Sequence, residues 1–349
     1  MAKRHVNIPI FIPHLGCPNT CVFCNQRTIS GVQHFEISEV KKQIDEALAT
    51  VSCDVECEIA FFGGSFTGID RELMISLLEI SHEYLESGKV DSVRCSTRPD
   101  YIDEEILDIL EKYGVGTIEL GLQSTSEEVL ARTKRGHGLD VAKRACELIV
   151  KRGILLVGQM MIGLPGATLE DELSTAKFII DSGAVGARIY PTVVFSDTEL
   201  CNMTRDGEYD PLELDEAILR SAAVFKLFYE ANVKVVRIGL CSSENLSGAD
   251  TYFAGPNHPA IGELVLGELY YLNIKEQLGR LDLINNAANT TVTVKVAKGQ
   301  LSKAIGQKKK NRLKILTEFG FHDIHFMESE DIERYDVRVV VEERTYKCI

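Results

Sequence analysis

The feature that most constrains the fold is a repeat of form. Short apolar, β-branched runs recur at roughly 25–40 residue intervals with amphipathic helical patterns between them, the signal of βα units around a parallel sheet. These runs lie near residues 6–12, 57–62, 91–96, 115–121, 154–161 and 185–190, with a further one at 233–239. The helices between them have legible ends. Ser38 precedes an amphipathic run to about Thr50, and Asp103 caps a run that stops at Tyr113-Gly114. Thr168 with Asp171 reads as a capping box on a helix that ends near Gly183. Six βα units before a change of composition predict an α/β chain with a partial (β/α)6 barrel, open on one side.

In parallel barrels, ligands sit at the carboxyl ends of the strands. The loop after the first strand, Gly16-Cys17-Pro18-Asn19-Thr20-Cys21-Val22-Phe23-Cys24-Asn25, carries three cysteines spaced C-x3-C-x2-C. Thiolates are soft ligands that select zinc or iron–sulfur clusters. A cubane cluster ordinarily takes four cysteines, so three leave one iron open, and an open coordination position marks chemistry rather than structure. A zinc ion with a fourth ligand such as His14 is the competing reading of the loop alone.

The later strands end in polar or glycine-rich segments. The second runs into Gly63-Gly64-Ser65, where backbone amides can approach a ligand. The third ends at Ser96-Thr97-Arg98-Pro99-Asp100, placing hydroxyls within reach of a ribose. Glu119 and Gln123 interrupt the apolar fourth strand, and polar groups are costly to bury without partners, so they are expected to face a polar cavity. Gln159 alternates with Met160 and Met161, read as core filler, and is placed to hydrogen-bond a nucleoside. The other seven cysteines, at 53, 57, 95, 146, 201, 241 and 348, read as structural or incidental.

The cysteine loop, with Phe23 just before its last cysteine, resembles the cluster loop of the radical S-adenosylmethionine (SAM) superfamily. The order of Arg98-Pro99-Asp100-Tyr101, Glu119-Leu120-Gly121-Leu122-Gln123-Ser124, Arg135-Gly136-His137, Met160-Met161-Ile162-Gly163-Leu164-Pro165-Gly166 and Ile189-Tyr190-Pro191-Thr192 is similar to that in the radical-SAM domain of the Elongator catalytic subunit. Some of these features also resemble oxygen-independent coproporphyrinogen oxidase. The resemblance implies a TIM-like partial barrel of the radical SAM type. It implies a [4Fe–4S] cluster on Cys17, Cys21 and Cys24, and SAM chelating the open iron. It places Phe23, Gly63, Gly64, Ser65, Ser96, Thr97, Gln123, Arg135 and Gln159 around SAM. The implied activity is reductive cleavage of SAM to a 5′-deoxyadenosyl radical, fed by a donor such as flavodoxin or ferredoxin. Two departures count: the first cysteine gap is shorter than in Elongator, and no acetyl-CoA-binding glycine pattern is present.

The implied substrate is an RNA base, in tRNA; a tetrapyrrole-like small molecule is the alternative, and a non-catalytic zinc-containing RNA-binding protein the reading of another class. The net charge of −14 argues against generalised nucleic-acid binding but leaves room for a local basic patch. Ten cysteines in 349 residues are too sparse for a disulfide scaffold, and no run is long enough to span a membrane, so a reduced, cytoplasmic protein is expected. The predicted division is a barrel over 1–240, a capping and connecting segment over 241–290, and a small α+β domain over 291–349. Residues 254–264 read as a loop, with His258 a loop histidine, and strands are expected at 291–298, 323–327 and 335–342. Gly306-Gln307-Lys308-Lys309-Lys310-Asn311-Arg312 is the densest basic run. It reads either as a solvated turn or as a partner site, and is similar to a KH-type RNA loop without its second glycine.

Overall fold

The computed structural model describes residues 4–12, 17, 21–24, 35–52, 54–240, 251–280 and 290–343. These group by contact into two units, one drawn from Met1–Glu213 and Leu227–Asn257, the other from Leu214–Lys226 and His258–Ile349.

In the first unit, strands β1 Arg4–Ile12, β2 Val55–Gly63, β3 Ser92–Thr97, β4 Val115–Gln123, β5 Leu155–Ile162, β6 Gly186–Pro191 and β8 Lys234–Ile238 form one sheet in that order. Every neighbouring pair is parallel. The architecture is the expected open barrel. Strand β7, Val194–Phe195, stays outside this sheet and pairs antiparallel with β9, Tyr252–Ala254. Helices alternate with the strands: α1 Ile37–Leu48, α2 Arg71–Glu86, α3 Glu104–Lys112, α4 Glu127–Arg132, α5 Leu139–Lys151 and α6 Leu169–Asp181, followed along the chain by α7 Glu199–Arg205 and α8 Leu214–Glu230.

Two of the caps read from sequence are formed. Asp103 accepts from the Ile106 amide at 2.8 Å, and Thr168 and Asp171 cap each other's backbone at 3.2 and 2.8 Å. Ser38 does not cap α1. That helix begins at Ile37 with Glu36 extended before it and no side-chain cap; the buried pair Val40 and Ile44, four residues apart, sets its phase instead.

Side chains alternate across a strand, so each strand divides its residues between two faces. Ile8 and Ile10, Ile59 and Phe61, Val93 and Cys95, Ile118 and Leu120, and Leu156 and Met160 are buried on the face that the helices cover. Each such aliphatic side chain contributes about 1.5–3 kcal/mol by leaving water. The alternate residues Glu58, Arg94, Glu119, Gln159 and Arg188 share the opposite face.

The second unit contains α9 Ile261–Gly279, β10 Thr290–Ala297, α10 Leu301–Ile305, α11 Lys310–Phe319, β11 Asp323–Ser329 and β12 Val337–Glu343. Its sheet has the order β11-β10-β12, with β10 parallel to β11 and antiparallel to β12. Tyr270, Ile274, Val292, Val294, Ile315 and Ile324 form its core. Gln277 closes the backbone of β12, donating to the Val337 carbonyl at 2.6 Å and accepting from the Val339 amide at 2.9 Å. The segment 254–264 is not a loop throughout: its first residue ends β9 and α9 starts at Ile261. That helix is apolar around most of its circumference, so it carries no amphipathic period to read. Cys53, Cys241, Cys348, His14 and the whole of the connecting stretches 241–250 and 281–289 fall outside the described residues.

Candidate active site

The carboxyl ends of the strands gather the expected site residues unevenly. Cys21 is buried, while Cys17 and Cys24 are partly exposed. The Cys24 amide donates to the Cys21 carbonyl at 2.9 Å, closing a tight turn. Two backbone bonds anchor that turn: Val22 N to Thr133 O at 3.2 Å, and Leu200 N to Val22 O at 2.8 Å. Val22 is buried against Val194, Leu200, Cys201 and Tyr209, with Phe23 packed beside them.

The Cys21 sulfur faces two guanidinium groups, Arg135 Nη1 at 3.3 Å and Arg98 Nη1 at 3.6 Å. Both arginines are buried. Asp100 grips Arg98 through two parallel bonds of 2.9 Å, and Arg98 also donates to the Arg135 carbonyl. Burial pulls the Arg98 guanidinium down, but the Asp100 carboxylate and the nearby Cys17 and Cys21 outweigh it and keep the group charged. Guanidinium donors at these distances suit a sulfur that carries negative charge as a cluster ligand. At Cys95, on β3, burial first and then Glu119 push the thiol up to about 12.

The donor chemistry therefore fits an anionic iron–sulfur cluster at this loop. Among the described residues, no three cysteine, histidine or carboxylate side chains are gathered closely enough to hold an ion. Residues 18–20, between the first two cysteines, lie outside them.

Gly63 has φ +115° at the tip of β2, and a Cβ there would lie 2.2 Å from the Ile12 carbonyl oxygen. Only glycine allows the ends of β1 and β2 to meet this closely. Gly64 then donates to the same carbonyl at 3.3 Å, and Ser65 is buried behind it. The glycine turn is thus pressed against the strand that leads into the cysteine loop.

Ser96 and Gln159 are brought together, with Gln159 Nε2 3.4 Å from Ser96 Oγ and 3.0 Å from Glu119 Oε2. Thr97 is turned to the other face, where its hydroxyl meets that of Thr67 at 2.6 Å. Gln123 sits at φ +68° at the tip of β4, and its buried Oε1 has no partner among the described residues. Arg135 donates to the Gly121 carbonyl at 2.6 Å, and its Nε is likewise buried without a partner. An acceptor left open at the tip of β4 and a donor left open on Arg135, whose guanidinium also reaches Cys21, suit a polar ligand.

A band of polar and charged groups lies below these tips on the inner face, buried except at the exposed His5. His5 Nε2 is 2.6 Å from Glu58 Oε2, and Arg94 reaches the same oxygen from Nη2 at 2.6 Å. Arg94 Nη1 donates to Glu119 Oε1 at 2.9 Å, and Arg188 Nη2 donates to that oxygen at 2.8 Å. Burial raises the Glu58 carboxyl, but Arg94 and His5 outweigh it and hold it below the usual carboxylate range. Sequence reading singled out Glu119 but passed over Glu58 and Arg94, and named Arg98 and Arg188 only as members of strand-end segments. The signal was the same in each case: a charged residue inside an apolar strand or at its tip.

Comparison with known proteins agrees with this geometry. A family described as the Radical SAM superfamily matches residues 11–179, and the radical SAM C-terminal domain matches residues 184–271. An uncharacterized protein of Methanocaldococcus jannaschii is 31% identical over 228 residues, covering 62% of this chain and 70% of that one. The tRNA uridine(34) acetyltransferase of Methanocaldococcus infernus is 35% identical over 125 residues, but the match spans only 35% of this chain and 23% of that protein. The archaeal Elp3 of Methanocaldococcus infernus with an N-terminal deletion shares the fold at a TM-score of 0.62 and 22% identity, over 80% of this chain and 64% of that one. Two family matches in series on an open parallel barrel, with the cysteine loop at its carboxyl end, place the chain in the radical SAM superfamily, whose enzymes use a [4Fe–4S] cluster and S-adenosylmethionine.

Proposed function

We propose that this radical SAM enzyme acts on an RNA base, in tRNA. The observation that carries the site assignment is the pair of buried guanidinium groups at 3.3 and 3.6 Å from the Cys21 sulfur. The likeness to tRNA uridine(34) acetyltransferases supports RNA as the substrate. When bound, cluster and SAM together supply a 5′-deoxyadenosyl radical that abstracts hydrogen from the substrate.

The chain's own residues do the holding. Cys17, Cys21 and Cys24 are the cluster ligands, and Arg98 and Arg135 neutralise the negative charge at Cys21. The Gly63-Gly64-Ser65 turn offers backbone to the methionine end of SAM. Ser96 and Gln159 face the nucleoside together, and the open groups of Gln123 and Arg135 complete its surroundings. Thr97 acts through Thr67, fixing the strand end rather than touching the ligand, and Phe23 packs the loop in place. A low-potential one-electron donor such as flavodoxin or ferredoxin supplies the electron.

Anaerobic reconstitution tests the reading. Broad iron–sulfur absorbance, acid-labile sulfide, and 5′-deoxyadenosine formed with dithionite and SAM are the expected results, with faster formation when bulk tRNA is added. Zinc without sulfide would leave a binding protein. Cleavage of SAM that responds to a tetrapyrrole and not to tRNA would move the substrate to the small-molecule class.

A further inference from the structure

The basic run has no part in the barrel chemistry, yet its local structure is unusual. It forms the connection from α10 to α11 in the second unit. Gly306 turns the chain at φ +81°, and a Cβ there would lie 2.9 Å from the Asn311 amide nitrogen. Asn311 is buried and locks the turn, donating to the Ala304 carbonyl at 3.1 Å and the Gly267 carbonyl at 2.7 Å. The locked turn forces Lys308 and Lys309 into successive left-handed conformations, at φ +53° and +64°. Side chains with a Cβ rarely adopt that region, and such strain concentrates where function requires it.

The charges divide in the same way. Lys303, Lys310, Arg312 and Lys314 each have an acidic partner, Glu263, Asp215, Asp323 and Glu268 respectively. Lys308 and Lys309 are exposed, and among the described residues neither forms an ion pair. Leu313 stands three residues beyond Lys310 on the same helix face and is 55% exposed, an uncovered apolar side chain next to the cationic turn.

We infer that the Gly306–Leu313 turn is a docking surface for single-stranded RNA. Lys308 and Lys309 take consecutive phosphates and Leu313 meets an unstacked base. A single strand presents phosphates and open base faces together, whereas a duplex hides its bases and would use the lysines alone. The inference rests on RNA being the substrate, and adds where that RNA is held outside the barrel.

The test measures binding of the full-length chain to fluorescent oligouridylate, bulk tRNA and duplex DNA over a salt series. Wild type is expected to bind oligouridylate and tRNA more tightly than the duplex. The Lys308→Glu/Lys309→Glu variant should weaken oligouridylate binding about tenfold or more and flatten the salt slope by about 1.4, since each phosphate contact on a single strand contributes about 0.7. Lys309→Gly guards against misfolding. Glycine suits the left-handed position, so its unfolding midpoint should hold or rise while its RNA affinity falls. Unchanged affinity in both variants, a preference for the duplex, or no binding by wild type would overturn the surface. SAM cleavage on the same wild-type preparation reports on the barrel separately, so a chain that makes 5′-deoxyadenosine yet ignores oligouridylate overturns this inference alone.

Discussion

The two faces of the barrel sheet are built from the same strands and do opposite things with them. On the helix-covered face, Ile59, Phe61, Ile118 and Leu120 are buried among other apolar side chains, and any well-fitting hydrophobe of similar volume would serve. On the inner face, Glu58, Arg94, Glu119 and Arg188 are also buried, but each is held by a specific oppositely charged neighbour. Apolar burial tolerates approximate geometry. Buried charge does not, because desolvation is recovered only when the partner is in place. The first face supplies stability, and the second is where a chain places groups that it needs for something else.

The sharpest way to break the comparison is to remove the shared acceptor. Glu119→Ala leaves the buried Arg188 without its carboxylate and takes one of two from Arg94, and should cost about 3–5 kcal/mol by urea unfolding. Glu119→Leu combined with Glu58→Gln, Arg94→Met and Arg188→Met, which leaves no buried charge of the band unpaired, should recover most of that stability while abolishing SAM cleavage, which separates the roles of the two faces. A cavity on the covered face gives the matching value: Leu156→Ala should cost about 2–5 kcal/mol and leave iron–sulfur absorbance intact. If the inner-face substitution proved the milder of the two, the band would be solvated and the contrast lost. A cap lying on neither face should matter less, and Asp103→Ala is expected to cost about 1 kcal/mol.

The smallest effect is one of pH. Glu58 has a folded pKa below its unfolded value of about 4.3, so the stability it contributes is complete above that pH and is lost as pH falls through the folded value. Chemical denaturation at descending pH should show this loss, and Glu58→Gln should flatten it.

The fold was legible where its causes are local. Barrel strand positions follow from short apolar, β-branched runs, and the starts of α3 and α6 follow from Asp103 and from the reciprocal pair Thr168 and Asp171. The start of α1 was misplaced because no side chain caps it, and α9 was read as loop at its start because a helix buried around most of its surface carries no period. The site divided similarly. Glu119 was visible as a carboxylate inside an apolar run, but its partners were not, since nothing near residue 119 mentions residues 94 and 188.

The sequence alone determined the alternation of strands and helices, the spacing of Cys17, Cys21 and Cys24 in the loop after the first strand, and glycine at 63. Those are short-range requirements written in neighbouring residues. Tertiary structure decided that Arg98 and Arg135 reach the Cys21 sulfur, that Thr97 turns away from Ser96, and that His5, Glu58, Arg94, Glu119 and Arg188 form one connected band. Those meetings depend on sheet register, and register is set by hydrogen bonds between segments far apart in the chain.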